Sequence, residues 1–209
     1  MFTRSCIIAT VILFYDTETT GMINRNESYT HDSQPRLVQL AAVLVDESFV
    51  ERCSISVIVR PGVPIPAEAT GVHGISDDTA KTYGVTSAAA VNVFVSMLSR
   101  AKLQVAHNIE FDFQVMSAAF HRAWASPLPD VLQFCTMKAM TPHCKLPGNR
   151  VCYKWPKLQE AHVHCFGAEF EGAHDALADV RACMRVFKWL KGQEAKSVNE
   201  SKEEKELNP

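Results

Sequence analysis

The run Val11-Ile-Leu-Phe-Tyr15, followed at once by Asp16-Thr-Glu-Thr-Thr-Gly21, constrains the fold more than any other stretch of the chain. Five consecutive apolar residues, rich in β-branched and aromatic types, read as a buried first strand. In an extended chain residues i and i+2 project from the same face, so Asp16 and Glu18 stand side by side, where like charges repel unless a cation lies between them. The spacing therefore points to a bound metal ion.

The remaining length is compatible with one α/β domain built around one core, at 209 residues. A hydrophobic content of 47% with 21% charged residues excludes disordered and fibrous classes. The net charge of −2 argues against a strongly basic nucleic-acid coat. Seven cysteines, odd in number and without a C-x-x-C pair, favour a reducing cytoplasm over a disulfide framework. Met1-Phe-Thr-Arg4 followed by the run Cys6 to Tyr15 imitates a signal peptide, but no small-x-small cleavage site follows and the acidic motif begins at once. The apolar run also falls short of the roughly 20 residues a membrane span needs, so no membrane association is expected.

Along the chain, a polar segment from Asn24 to Gln34 reads as a mobile loop before a second strand, Arg36 to Val45. Cys53, Ile55, Val57 and Val59 alternate with mostly polar neighbours, predicting a third strand over 52–59 buried on one face and stopped by Pro61-Gly62. Ser76 can cap a short helix, and Thr86 or Ser87 a longer one through Arg100 with Val91, Phe94, Val95 and Leu98 inward. A short strand over Lys102 to Ala106 precedes a helix opened by His107-Asn108, and residues 131–137 read as a last strand. The stretch Trp155 to Gly167 fits a helix, and Leu177, Val180, Met184, Phe187 and Leu190 place another from about Ala176 to Lys191. The expected organisation is thus a preface or strand extension (1–10), a catalytic domain (11–191) and a disordered charged tail (192–209).

Three places now combine a carboxylate with a strand end or a helix start: Asp16 with Glu18, Asp112 in His107-Asn-Ile-Glu-Phe-Asp112, and Asp179 in His174-Asp-Ala-Leu-Ala-Asp179. Open α/β sheets place ligand sites where strand ends meet helix starts. Four carboxylates converging there suit two hard divalent ions, which take oxygen ligands and, at ~3.5–4 Å separation, serve phosphodiester cleavage.

Asp16-Thr-Glu-Thr-Thr-Gly21, Val72-His-Gly-Ile75, His107-Asn-x-x-Phe-Asp112 and His174-x-Ala-x-x-Asp179, in this order, resemble the motifs of the DEDDh (DnaQ-like) 3′→5′ exonucleases. The resemblance covers about residues 11–190. It implies a ribonuclease H-like α/β fold, a mixed five-stranded sheet flanked by helices, with the site at the sheet edge formed by strand one and the last helix. It also implies two divalent ions, Mg²⁺ or Mn²⁺, held by Asp16, Glu18, Asp112 and Asp179, with Asp16 bridging them. His174 would be the general base, histidine being the side chain that titrates nearest neutral pH. By the same resemblance Thr17, Thr19, Met22, His73 and Ile75 frame the 3′ end of a nucleic acid, with Asn108 and Phe111 alongside.

Each residue alone also has a structural reading: Asp112 as a first-turn helix acid, Asp179 as an exposed helix acid, His174 and His73 as turn residues. Asp175, four residues before Asp179, is assigned to capping or solvent because the motif spacing selects Asp179. The cysteines and histidines from Cys135 to Cys165, including His143, Cys144, Cys152, His162 and His164, match no common zinc module and read as scattered residues. Lys138 and the stretch Lys145 to Lys157, with Arg150, Lys154, Tyr153 and Trp155 beside a Pro-Gly turn, read equally as a nucleic-acid clamp or a solvated loop. The expected partner is a nucleic-acid 3′ end, DNA ahead of RNA and single-stranded or frayed, with a polymerase or another protein as a tether. A non-catalytic module that has kept the exonuclease fold is the competing reading.

Overall fold

The computed structural model describes the backbone of residues 11–149 and 152–207, with side chains up to Lys196. The preface or strand extension expected of residues 1–10 lies outside the described residues, as does Arg150. Strands β1 (Ile12–Thr19), β2 (Leu37–Val45) and β3 (Glu51–Arg60) form an antiparallel meander. Two short helices, α1 (Ala67–His73) and α2 (Asp77–Tyr83), lead to a two-residue strand β4 (Val85–Thr86) and helix α3 (Ser87–Leu98). Then come β5 (Leu103–Ala106), α4 (Ile109–Trp124), β6 (Leu132–Cys135), α5 (Thr136–Cys144), α6 (Leu158–Phe166) and α7 (Ala176–Leu207).

The strands form one mixed sheet in the order β4-β3-β2-β1-β5-β6, with β5 parallel to β1 and β6 parallel to β5. The sixth strand absent from the sequence expectation is β4, whose two residues are too few to show a period. A larger difference concerns β1. It lies inside the sheet between β2 and β5, so the site does not sit at an edge strand. That interior position explains its unbroken apolar run, since both faces are covered.

Alternation along β1 divides the core. Leu13 and Tyr15 pack with Phe94 and Leu98 of α3 and Val115 and Met116 of α4. Ile12 and Phe14 pack with Val180, Cys183 and Phe187 of α7, the Phe14 and Phe187 rings meeting edge-on at 5.4 Å. The same alternation carries forward to the polar half of the strand, so Asp16 and Glu18 continue the α7 face while Thr17 and Thr19 continue the α3/α4 face. A single strand thereby presents different chemistry to two helices.

The helix starts follow the expected hydroxyls: Ser76 Oγ accepts from the Thr79 amide of α2, and Thr86 Oγ1 from the Ala89 amide of α3. Helix α1 was not foreseen; it ends at Gly74, whose φ of 74° is the left-handed conformation that glycine adopts freely, and its N–H bonds to Thr70 O. Helix α7 runs past Lys191 to Leu207, whereas the sequence pattern ends it at Lys191 and expects a disordered tail. Beyond Gly192 apolar periodicity fades, but Glu, Lys, Ala and Gln are strong helix formers. The segment expected to be a mobile loop is closed on itself: buried Gln34 donates from Nε2 to the carbonyls of Asn24, Glu27 and Ser28, and its Oε1 accepts from the Asn24 amide.

Candidate active site

The site forms where the polar half of β1 meets the N-terminal ends of α4 and α7. Asp112, in the first turn of α4, is 3% exposed. Its Oδ1 accepts from the Thr17 amide at 3.0 Å and from the Thr17 hydroxyl at 2.8 Å. Thr17 thus holds Asp112 against β1.

The other acids gather on the α7 side. One donor atom each from Glu18, His174 and Asp179 lies within 4.8 Å of the other two, the one such group among the described residues. His174 has φ 69°, and this left-handed turn lets its own N–H donate to Asp179 Oδ2 at 3.0 Å. From sequence His174 is a base outside the ligand set; the geometry puts its ring within the same group as two carboxylates.

Crowding these acids perturbs all of them. Burial, then the charges of Asp112, Asp179, Glu18 and Asp175, holds the Asp16 carboxyl well above the usual carboxylate range. Burial and the neighbouring Asp179, Asp112 and Asp175 push Glu18 up to about 8. Asp112 is raised to about 7 by burial, against the opposing hydrogen bonds from Thr17. Asp179 reaches about 6, again by burial, with the His174 amide and ring pulling the other way. Four carboxyls packed so that each resists ionisation would be relieved by cations, and divalent ions fit this oxygen-rich donor set.

Asp175 behaves as the cap it is assigned to be: its Oδ1 accepts from the Leu177 and Ala178 amides at 3.1 Å each. What sequence reasoning missed is Gln39 of β2. It pairs across the ladder with Glu18, and its amide bridges to the start of α7: Nε2 to Asp175 Oδ2 at 3.5 Å, Oε1 from the Ala176 amide at 3.3 Å. A signal existed, since Gln39 is the one polar residue in the strand Leu37-Val-Gln-Leu-Ala-Ala-Val-Leu-Val45, all of it buried.

The residues expected around a 3′ end fall into two groups. Thr19, His73 and Ile75 lie together on one side. His73 Nδ1 accepts from the Ile75 amide at 3.1 Å, and its buried Nε2 has no hydrogen-bond partner among the described residues. Burial, then proximity to His174, lowers the pKa of this ring, with the Thr19 backbone opposing. Thr19 Oγ1 donates to Gly21 O at 2.7 Å, and Ile75 is 7% exposed. On the other side Met22, Asn108 and Phe111 line a cleft of ≈ 730 Å³ with Arg25, Tyr29 and Gln133. Asn108, left-handed at φ 75°, turns the chain from β5 into α4.

Among the described residues the histidines and cysteines from Cys135 to Cys165 form no group of three that could hold a metal ion, although Cys144 and Cys165 share one apolar cluster. His143 and His164 pack edge-on to Trp189 at 5.3 and 5.6 Å, and His162 Nδ1 donates to Ala168 O at 2.7 Å.

The sequence profile of the RNase_T family, described as Exonuclease, matches residues 13–187. The chain belongs to this exonuclease family. It is a hydrolytic nuclease of the DnaQ-like DEDDh kind. An uncharacterized exonuclease, CP81, of Escherichia phage 186 is 29% identical over 186 residues, covering 84% of this exonuclease and 85% of its own chain. DNA polymerase III subunit epsilon of Escherichia coli K12 is 32% identical over 183 residues, 85% of this chain and 70% of its own. Among solved structures, E. coli exonuclease I in complex with a dT13 oligonucleotide superimposes with a TM-score of 0.70 at 23% identity, a likeness of fold. This exonuclease spans 91% of its own length in that superposition but only 43% of exonuclease I. No helix among the described residues is long and apolar enough to cross a membrane.

Proposed function

We propose that this chain is a two-metal-ion 3′→5′ exonuclease that releases nucleoside 5′-monophosphates from DNA, with single-stranded or frayed ends preferred and RNA as a secondary substrate. The observation that carries this reading is the meeting of Asp16, Glu18, Asp112 and Asp179 from three elements, every one of them raised above its ordinary pKa first by burial and then by a neighbouring carboxylate. Mg²⁺ or Mn²⁺, when bound, would supply charge neutralisation and an activated water for attack on phosphorus.

The protein's own residues divide the remaining work. Asp16, Glu18, Asp112 and Asp179 would hold the ions, with Asp16 shared. His174, at the mouth of α7, would take the proton of the attacking water. His73, whose Nδ1 accepts from the Ile75 amide, would offer its Nε2–H to a substrate group in place of its poorly aligned approach to the Thr19 backbone. Met22, Asn108 and Phe111 present an amide and two apolar side chains to a terminal base in their shared cleft. The relationship to epsilon subunits supports a polymerase or another protein as the tether, and the cysteine content supports a cytoplasmic enzyme.

The deciding assay uses end-labelled single-stranded DNA, duplex DNA and RNA, each with Mg²⁺, Mn²⁺ or EDTA. Mononucleotides released from the 3′ end, fastest on single-stranded DNA and only with a divalent ion, are expected. Full activity in EDTA, or trimming from the 5′ end, would overturn the reading. Hydrolysis by an Asp16→Asn variant at the parental rate would favour a site elsewhere.

A further inference from the structure

The segment before α6 is the part of the chain that the site above leaves unused. From Val131 to Gln159 the sequence holds Lys138, Lys145, Arg150, Lys154 and Lys157 and not one Asp or Glu, within a chain of net charge −2. Tyr153 and Trp155 are 49% and 52% exposed. With Thr141, Pro142, Cys152 and Lys154 they line an open cleft of ≈ 680 Å³. Large exposed aromatics beside clustered lysines on an otherwise acidic molecule are a costly surface unless something planar and anionic covers them.

This surface is keyed to the active site. The Lys138 ammonium lies 5.9 Å from the Trp155 ring centroid and is ion-paired with Glu110, which lines the cleft of Asn108 and Phe111. Behind Trp155, Pro156 is buried, and its carbonyl accepts from His107 Nε2 at 2.9 Å. His107 directly precedes Asn108. Its Nδ1 accepts from the Thr136 hydroxyl at 3.0 Å, and burial lowers its pKa to about 4, so the ring holds this bridge in one tautomer at neutral pH. Lys157 and Lys154 are tied to α6 through Glu160 at 2.7 and 2.8 Å. Glu110 and Lys138 therefore link the first cleft to Trp155.

We propose that Trp155 and Tyr153 form a stacking platform for the bases of single-stranded nucleic acid upstream of the terminal nucleotide, with Lys138 and Lys154 meeting its phosphates. The assignment rests on the exonuclease reading of the neighbouring site. Stacking suits an enzyme that must advance along any sequence, because every base has a π face. The lysines are available for it: exposed pairs such as Lys138–Glu110 and Lys154–Glu160 are weak, and a phosphate can replace the carboxylate. His107 acts as a positioning residue that fixes the distance between the platform and Asn108.

The test compares labelled oligothymidylates of about 3 and about 15 nucleotides, spanning less and more than one aromatic groove, by anisotropy in Ca²⁺ and by hydrolysis in Mg²⁺. Trp155→Ala with Tyr153→Ala should lower affinity for the long strand about tenfold or more, the range for lost base stacking, and lower that for the short strand much less. Trp155→Phe should restore most of the loss, and an unchanged melting temperature would show that the fold is intact. Equal loss on both lengths, no loss on either, or a parent enzyme with no length preference would overturn the platform. Release of mononucleotides from the short strand by the same variant keeps the exonuclease reading standing even if the platform fails; absence of hydrolysis in the parent defeats both. If long-strand affinity survives while a polymerase subunit no longer binds, the surface is a protein contact and the proposal is wrong.

Discussion

Glu18→Gln should make the protein more stable in EDTA while abolishing its activity, and the gain should grow with pH. The Glu18 carboxyl makes no side-chain hydrogen bond among the described residues, and each cause of its shift acts in one direction: burial first, then Asp179, Asp112 and Asp175. A carboxyl whose folded pKa exceeds its unfolded value contributes stability that is intact below the unfolded pKa and lost as pH rises through the folded one. Here that window runs from 4.5 to about 8. In full the shift corresponds to roughly 5 kcal/mol of destabilisation once the group is ionised. Water reaches part of the side chain and the neighbouring acids share the proton uptake, so about 2 kcal/mol at pH 8 is the working figure. For a chain of this size that is a rise in melting temperature of about 4–8 °C. Melting curves of parent and variant in EDTA at steps from pH 5 to pH 8 measure it directly. Parallel curves, or a variant less stable than its parent at pH 8, would refute the account of the site as four acids held against their own repulsion. Saturating Mn²⁺ should close the gap by stabilising the parent more than the variant.

The other consequences are narrower. His174→Ala should lose ~10²–10⁴-fold in single-turnover rate if the ring is the base; measured beside it, Mn²⁺ affinity tells whether the imidazole also serves as a ligand, as its place beside Glu18 and Asp179 permits. Asp175→Ala removes the cap of α7 and should cost ~1 kcal/mol in denaturant melts while keeping most of the activity, in contrast to Asp179→Asn. Thr17→Val removes the hydroxyl that holds Asp112 down, so metal affinity should weaken at pH 7 and recover in part at higher pH; Thr17→Ser should titrate like the parent. Gln39→Leu should lower kcat far more than it raises KM, because the amide orients α7 and its acids without touching substrate; equal changes in both would refute that role.

Local sequence determined a good deal here. The acids, their spacing on one strand, the capping hydroxyls Ser76 and Thr86, the inward face of α3 and the meander of the first three strands all follow from periods of two and 3.6 residues and from turn chemistry, which act within a few residues of one another. What the tertiary structure decided depends on pairings across long separations. That β1 lies inside the sheet is set by its parallel partner β5, some ninety residues later, and no local pattern announces a parallel neighbour. Thr17 is a bystander in its own motif until Asp112 is folded against it, and Gln39 is an oddity in an apolar strand until α7 arrives with an unsatisfied first turn. The perturbed acids are the plainest case: each is an ordinary carboxylate in the unfolded chain, and only bringing three elements together, out of water and against one another's charge, produces groups that a divalent cation would relieve.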